Sequence, residues 1–268
     1  MTTAYDFTLS HWKDIFTVPA RNVSNDTDYV SRIPVFYLNP PHLIKRRKHM
    51  EQQFNELKIP EDVVTRVETT PFPKLGSHKL KNDIVTLDHI RMWKLAIKKK
   101  CKNGAFFFED DVFFLKNWRQ QINNIFDTLS SKLHILRMDA APLIRILDLP
   151  HDKLAVFLTR TFACMGGYYL SQDAIVTALT HVNTTPWRWN TCESLLKEIT
   201  QTYFDDYSYE TSPRLCIQNW FIEDTSNLQS HSHVAQRKKA MYSGYMQQYH
   251  NRYMLDNLQR KIVKKNMK

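Results

Sequence analysis

Three features of the sequence predict an α/β fold, a mostly parallel sheet flanked by helices. Short apolar runs alternate with segments of helical period. The run 105–108 is apolar at every position, as expected of a strand covered on both faces. These runs stop abruptly at polar or acidic residues, and in open α/β sheets ligands sit beyond the carboxyl ends of the strands.

The elements follow in order. Residues 1–32 show no clear period and read as an extension that packs on the domain or frays. Ile33 to Leu38 is a buried strand, stopped by the turn residues Asn39-Pro40-Pro41. Leu43, Met50, Phe54 and Leu57 mark a helix whose other face is basic, with Lys45, Arg46, Arg47 and Lys48. Val63 to Val67 is a second strand. Pro and Gly make 71–81 a loop, after which Asp83 is expected to cap a helix with Ile84, Leu87, Ile90 and Ile97 on its buried face.

Ala105 to Phe108 is a strand that runs into Glu109-Asp110-Asp111. Ile122, Ile125, Phe126 and Leu129 form a helical stripe, and Leu133 to Met138 is a strand that ends in Asp139. Residues 162–170 hold Gly166-Gly167, two of only five glycines in the chain. Helices are predicted over 172–179 and 192–203. The last 35 residues read as a helical C-terminal extension with Met241, Tyr245, Tyr249, Leu255, Leu258 and Ile262 as stripes. The domain plan is therefore an N-terminal extension (1–32), a catalytic-type domain (33–230) and a basic extension (231–268).

Composition bounds the function. Apolar residues at 43% and charged residues at 24% describe a globular chain rather than a disordered one. The net charge of +10 is concentrated: from Val234 to Lys268 there are nine Lys or Arg against one Asp, so the body is close to neutral. Such a tail reads either as a solvated helix face or as a binder of an anionic surface or nucleic acid. Tyr242, Tyr245, Tyr249 and Tyr253 among the basic residues keep a nucleic-acid reading open. The four cysteines have no CxxC spacing, which argues against a zinc knuckle and for free thiols in a reducing compartment. No apolar run reaches a membrane span and no secretory leader is evident, so a cytoplasmic location is expected and the sequons at Asn22, Asn25 and Asn183 are read as coincidental.

The chemistry lies at the strand ends. Three adjacent carboxylates raise one another's pKa unless a cation or hydrogen bonds offset them. A hard divalent ion, Mn2+ or Mg2+, prefers oxygen ligands and can also hold a diphosphate while it neutralises the charge that develops on a leaving group. A solvated acidic turn is the alternative, and the apolar strand before the triplet favours the site. Asp139 and Glu193 are candidate general bases for removing a proton from an acceptor hydroxyl. Glu193 also suits the N-terminus of a helix on charge grounds alone. Gly166 and Gly167 form a turn or let substrate approach the backbone. Arg137 pairs with Asp139 or contacts phosphate. Trp187 and Trp189 either pack or stack on a sugar.

Several stretches together resemble the family 25 glycosyltransferases, which include lipopolysaccharide-type and procollagen galactosyltransferases. They are Val35-Phe36-Tyr37-Leu38-Asn39 with Arg46-Arg47, Asp88-His89-Ile90-Arg91-Met92-Trp93, the segment 106–112, Leu136-Arg137-Met138-Asp139, Gly166-Gly167-Tyr168-Tyr169-Leu170-Ser171, and 212–218 with Ser226. The resemblance spans about residues 33–229 and implies a GT-A, Rossmann-like fold, a UDP-sugar donor, and a glycan or hydroxylated protein as acceptor. It implies metal ligation by Glu109 and Asp111, with His233 completing the shell. Donor contacts are implied for Asn39, Arg46, Glu109, Asp110, Arg137, Gly166, Gly167 and Gln218, and catalysis for Asp139, Glu193 and His89. The chain departs from the family at Ile84-Val85 and Asp88, where the family has Gly-Cys and Ser, and at Thr191-Cys192-Glu193, where it often has Pro-x-Asp. A metal-dependent hydrolase built on the same acids is a weaker reading, since no nucleophile is evident.

Overall fold

Alternating apolar runs and helical segments assemble into one mixed sheet with helices on both faces. The computed structural model describes residues 15–18, 28–71, 78–115, 117–139, 154–159, 165–212 and 214–218. The strands of the main sheet are β1 (Ile15–Val18), β2 (Val35–Asn39), β3 (Val64–Glu68), β4 (Ala105–Phe108), β6 (Ile135–Arg137), β7 (Leu154–Leu158), β8 (Gly167–Leu170) and β9 (Ser208–Ser212). A separate ribbon pairs β5 (Val112–Phe114) with β10 (Cys216–Gln218). The helices are α1 (Ile44–Glu56), α2 (His78–Lys98), α3 (Trp118–Leu129), α4 (Gln172–Thr184) and α5 (Cys192–Tyr203).

The sheet order is β1-β7-β9-β6-β8-β4-β2-β3. Six strands point one way, and only β7 and β8 run against them. The expected α/β, Rossmann-like class holds. Alternation along the strands divides the core into two layers. Val35, Tyr37, Phe106 and Phe108 point to α1 and α3; Phe36, Leu38 and Phe107 point to α2, α4 and α5. Because both faces are covered, β2 and β4 are apolar at nearly every position.

The order β3-β2-β4 makes a topological switch point. From β2 the chain crosses to β3 through α1 on one face, then back past β2 to β4 through α2 on the other. In open α/β sheets ligands bind where the strand order reverses, which here is at the carboxyl ends of β2 and β4. Asn39 ends one of these strands and Glu109 follows the other.

Three expectations need correction. The helix α2 starts at His78, not at Asp83, because the breakers Pro71, Pro73 and Gly76 all precede His78 and the lysines and Leu80 after it are good helix formers. Its buried face is Thr86, His89, Ile90, Trp93 and Ala96, while Leu87 is 52% exposed. Counting aliphatic residues missed this face because Thr86, His89 and Trp93 are buried in place of aliphatics. The helix after β8 runs on to Thr184, beyond the predicted 179. The extension expected to pack on the domain or fray does pack where it is described: Ile15–Val18 form the edge strand β1 beside β7, and Val30 enters the core. The C-terminal extension 231–268 lies outside the described residues. No helix among the described residues is long and apolar enough to cross a membrane.

Candidate active site

The acidic turn is held from several sides before any ligand is considered. Phe108 buries its ring edge-on against Phe114, with centroids 4.8 Å apart, so the chain that leaves β4 must fold back into β5. Gln53 of α1 donates from Nε2 to the Val112 carbonyl at 2.8 Å and accepts from the Phe114 amide at 2.9 Å. Between these fixed points lie Glu109, Asp110 and Asp111. The Glu109 amide donates to the Gly166 carbonyl at 3.0 Å.

Asp110 is neutralised within the protein. Asn39 Nδ2 donates to its Oδ2 at 2.7 Å and Arg46 Nη1 to its Oδ1 at 2.9 Å. Asn39 is itself oriented, with its Oδ1 accepting from Arg66 Nη1 at 3.1 Å. Arg46 Nη1 lies 3.6 Å from Asp111 Oδ2. Burial works against the Arg46 charge, yet Asp111 and Asp110 hold its guanidinium above its ordinary value. Asp111 gains less in return. Burial, then repulsion from Glu109, push its carboxyl well up, against the pull of Arg46. Its Oδ1 is buried with no hydrogen-bond partner among the described residues.

Asp139 follows β6 at the same edge. Its Oδ2 accepts from the Gly166 amide at 2.7 Å, while its buried Oδ1 has no partner among the described residues. Burial pushes this carboxyl up to about 7; Arg137 pulls it down and Glu109 adds repulsion. Arg137, expected to pair with Asp139 or contact phosphate, acts on the Asp139 carboxyl through its charge and also makes contacts of its own. Its Nη1 pairs with Glu210 Oε2 at 2.9 Å, its Nε donates to the backbone carbonyl of Asp139 at 3.1 Å, and Arg214 holds the other oxygen of Glu210 at 3.2 Å.

His89 is fully enclosed. Trp93 Nε1 donates to the Tyr168 hydroxyl at 3.0 Å, and that hydroxyl lies 2.9 Å from His89 Nδ1. Burial pushes the imidazole down to about 4, so it is neutral at pH 7. Its Nε2 stands 3.7 Å from Glu109 Oε1, which is too long for a hydrogen bond, and a neutral ring makes no ion pair there. Glu193 sits in the first turn of α5, where Thr191 and Ser194 form a reciprocal cap. Its charge is felt at His89, and Cys192 beside it feels Glu109.

The expected residues thus gather at one sheet edge: Asn39, Arg46, Glu109, Asp110, Asp111, Arg137, Asp139, Gly166 and Gly167, with His89 and Glu193 behind them. Gly167 has a packing reason, since a Cβ there would stand 2.3 Å from Cys216 Sγ and 3.0 Å from the Phe108 ring. Gln218 is placed opposite Val112 on β10. His233 lies outside the described residues. The sequence reading passed over Glu210, Gln53, Tyr168 and Arg66, which orient this set. Glu210 sits in the polar string SYETS, which gives no hydrophobic signal for a strand.

A charge count describes what the edge can hold. Among the described residues, five carboxylates (Glu109, Asp110, Asp111, Asp139, Glu210) meet three guanidiniums (Arg46, Arg137, Arg214), a formal excess of two carboxylates before Glu193 is added. Burial first, and repulsion from Glu109 with it, raises the carboxyls of Asp111 and Asp139, and a bound cation would offset both effects. Among the described residues no three His, Cys, Asp or Glu side chains converge as a ready metal cage.

The chain matches no protein-family model, and no curated protein matches it in sequence. Solved structures of similar shape include a glycosyltransferase involved in the glycosylation of the major capsid of PBCV-1, at 15% identity and TM-score 0.44, covering 78% of this chain and 98% of that one. Another is the inositol-1-phosphate CTP transferase from T. maritima, at 11% identity and TM-score 0.36, covering 80% of this chain and 78% of that one. A third is a UDP-glucose pyrophosphorylase complexed with UDP-glucose, at 11% identity and TM-score 0.35, covering 78% of this chain and 81% of that one.

Proposed function

We propose that the protein is a divalent-cation-dependent glycosyltransferase that moves a hexose, galactose or glucose, from a UDP-sugar to an acceptor hydroxyl with inversion. The observation that carries this reading is the pair of buried oxygens, Asp111 Oδ1 and Asp139 Oδ1, that have no partner among the described residues, beyond the carboxyl ends of β4 and β6 in a cluster with a formal excess of two carboxylates. The donor set suits Mn2+ or Mg2+, because such ions are often bound by one or two carboxylates and take their remaining ligands from phosphate and water. Glu109 and Asp111 would hold the ion, and it would supply Lewis-acid stabilisation of the departing diphosphate.

The chain's own groups divide the remaining work. Arg46 and Asn39 fix Asp110 and so set the turn that presents Asp111. Asp139, with a carboxyl near 7, is poised to take a proton from an attacking hydroxyl at neutral pH. Direct attack with one base gives inversion. Glu193 is the second candidate for that proton.

A panel of UDP-sugars, with UDP-galactose and UDP-glucose first, tests the reading through donor hydrolysis and transfer. Chelation should abolish turnover and Mn2+ should restore it better than Ca2+. Asp111→Asn should lower kcat by about 10²-fold or more at saturating Mn2+, with an unchanged fold by circular dichroism. Wild-type turnover in that variant, or full activity in exhaustively chelated protein, would remove the acidic turn from the chemistry.

A further inference from the structure

The buried face of α2 sends a polar side chain to the acidic turn. On that face Thr86 donates to the Asn82 carbonyl at 2.8 Å, and Asp88 accepts from the Thr70 amide at 2.8 Å and the Thr70 hydroxyl at 2.7 Å. Those groups are spent on the helix itself and on the chain that follows β3. His89 is spent on one side of its ring, where Nδ1 lies 2.9 Å from the Tyr168 hydroxyl. Its Nε2 is buried with no hydrogen-bond partner among the described residues and faces Glu109 Oε1 at 3.7 Å.

The neighbours of the ring decide which nitrogen carries its hydrogen. An indole N–H only donates, so Trp93 Nε1 uses the Tyr168 oxygen as an acceptor and leaves the hydroxyl its own proton to give. Given to Nδ1, that proton makes Nδ1 the acceptor and puts the ring hydrogen on Nε2. The opposite tautomer would turn the Nε2 lone pair toward a carboxylate. The ring is also fixed in place. It packs on Tyr168 at 5.8 Å between centroids, and Tyr168 stacks on Phe107 of β4 at 5.2 Å, so the donor is anchored to the strand that ends at Glu109. Glu109 is the partner that moves: its amide is held by the Gly166 carbonyl, but its side chain is 24% exposed. A shift of about 0.5 Å brings Oε1 within reach of an N–H···O bond. Functional hydrogen bonds are often this long before a ligand binds.

We propose that His89 is a positioning residue for Glu109: its Nε2–H, set by Trp93 and Tyr168, takes one carboxylate oxygen by hydrogen bond and leaves the other aimed at the cation. The role rests on the cation-dependent reading above and adds the group that orients one of its two carboxylate ligands. A ligating carboxylate with a fixed hydrogen-bond partner loses less freedom when the ion binds, and removal of such a partner costs about 10- to 100-fold in metal affinity. A neutral ring suits this task, because it donates a hydrogen bond without placing a positive charge beside the ion.

Two measurements on the full chain test this. Long-range 1H–15N spectra of metal-free, 15N-histidine-labelled protein should show a neutral His89 ring with its hydrogen on Nε2, the signal being identified by its loss in His89→Gln. A hydrogen on Nδ1 would overturn the proposal. Titration with Mn2+ in the presence of UDP, read by the EPR signal of unbound Mn2+, gives the affinity. It should weaken by about tenfold or more in His89→Phe. His89→Gln, whose amide N–H can reach the place of Nε2, should recover most of that loss at comparable thermal stability, which a purely structural role would not produce. A glutamine variant as weak as the phenylalanine one would sink the role. If His89→Phe does not fold, Tyr168→Phe carries the test: the ring hydrogen should then spread over both nitrogens and the affinity fall. An unchanged tautomer and affinity there would count against the proposal. Failure of the parent reading looks different. Mn2+ binding by the wild type that survives in folded His89→Phe sinks the positioning role alone, whereas no Mn2+ binding by the wild type sinks the parent reading and this role with it.

Discussion

Asp139 keeps its carboxyl near 7 because it is buried at the end of β6, with one oxygen accepting from the Gly166 amide and the other without a partner among the described residues. That arrangement costs stability whenever the group ionises. A carboxyl whose folded pKa stands above its ordinary 3.8 contributes stability that is fully present below about pH 4 and is lost as pH rises through about 7. Asp139→Asn keeps an acceptor for Gly166 and removes the charge. It should melt above the wild type at pH 8 in the presence of chelator, with a stability gain of up to about 4 kcal/mol for a carboxyl moved from 3.8 to about 7. The gain should shrink toward zero at pH 4, and transfer should be lost at every pH. Equal melting of the two proteins at pH 8 would show that Asp139 is not ionising in a buried site. Asp110, two strands away after β4, is held differently, with Asn39 and Arg46 on its two oxygens.

Among the elements, β8 and the β5–β10 ribbon bring the two halves of the site together. Gly167 opens β8 opposite Phe108, and the chain between Arg214 and Cys216 returns to bond the Met138 carbonyl through the Leu215 and Cys216 amides at 2.9 and 3.1 Å. The space for this close approach exists only because residue 167 has no side chain. A Cβ 2.3 Å from Cys216 Sγ meets a short side chain that cannot swing away, so Gly167→Ala should destabilise by about 1–3 kcal/mol. Cys216→Ala on that background should restore most of the loss, as scored by denaturant midpoints. A double variant as unstable as the single one would place the strain elsewhere, with Phe108 the next neighbour. This glycine reads in sequence as a turn or a substrate contact. Its packing partner lies 49 residues away in chain order, so no local pattern reveals it.

At the scale of the molecule, a sheet edge built of carboxylates belongs to a chain whose net charge is strongly positive, with nine of its cations between Val234 and Lys268. Removing the residues after Asn251 takes away six Lys or Arg and one Asp. If that segment recruits an anionic surface, the shortened protein should hydrolyse UDP-sugar as before. It should lose binding to vesicles containing phosphatidylserine, and the wild-type binding should itself fall as salt rises through ~0.15 M. A large fall in melting temperature with hydrolysis lost would instead mean that Leu255, Leu258 and Ile262 pack on the domain. What the sequence by itself determined is the local layer of the structure: Ala105–Phe108 as a strand covered on both faces, Cys192–Tyr203 as a helix, and the acids at the strand ends. These follow from period and composition, which act over a few residues. Tertiary structure alone decided the rest. The polar strand β9 is central because Glu210 meets Arg137 and Arg214. The buried face of α2 is polar because His89 and Trp93 meet Tyr168. Asp110 is spent on Asn39 and Arg46 while Asp111 keeps an oxygen for something else. Each of these outcomes depends on a partner distant in sequence, and burial gives such pairings their energetic weight, because a buried polar group must find a partner or remain a site for one.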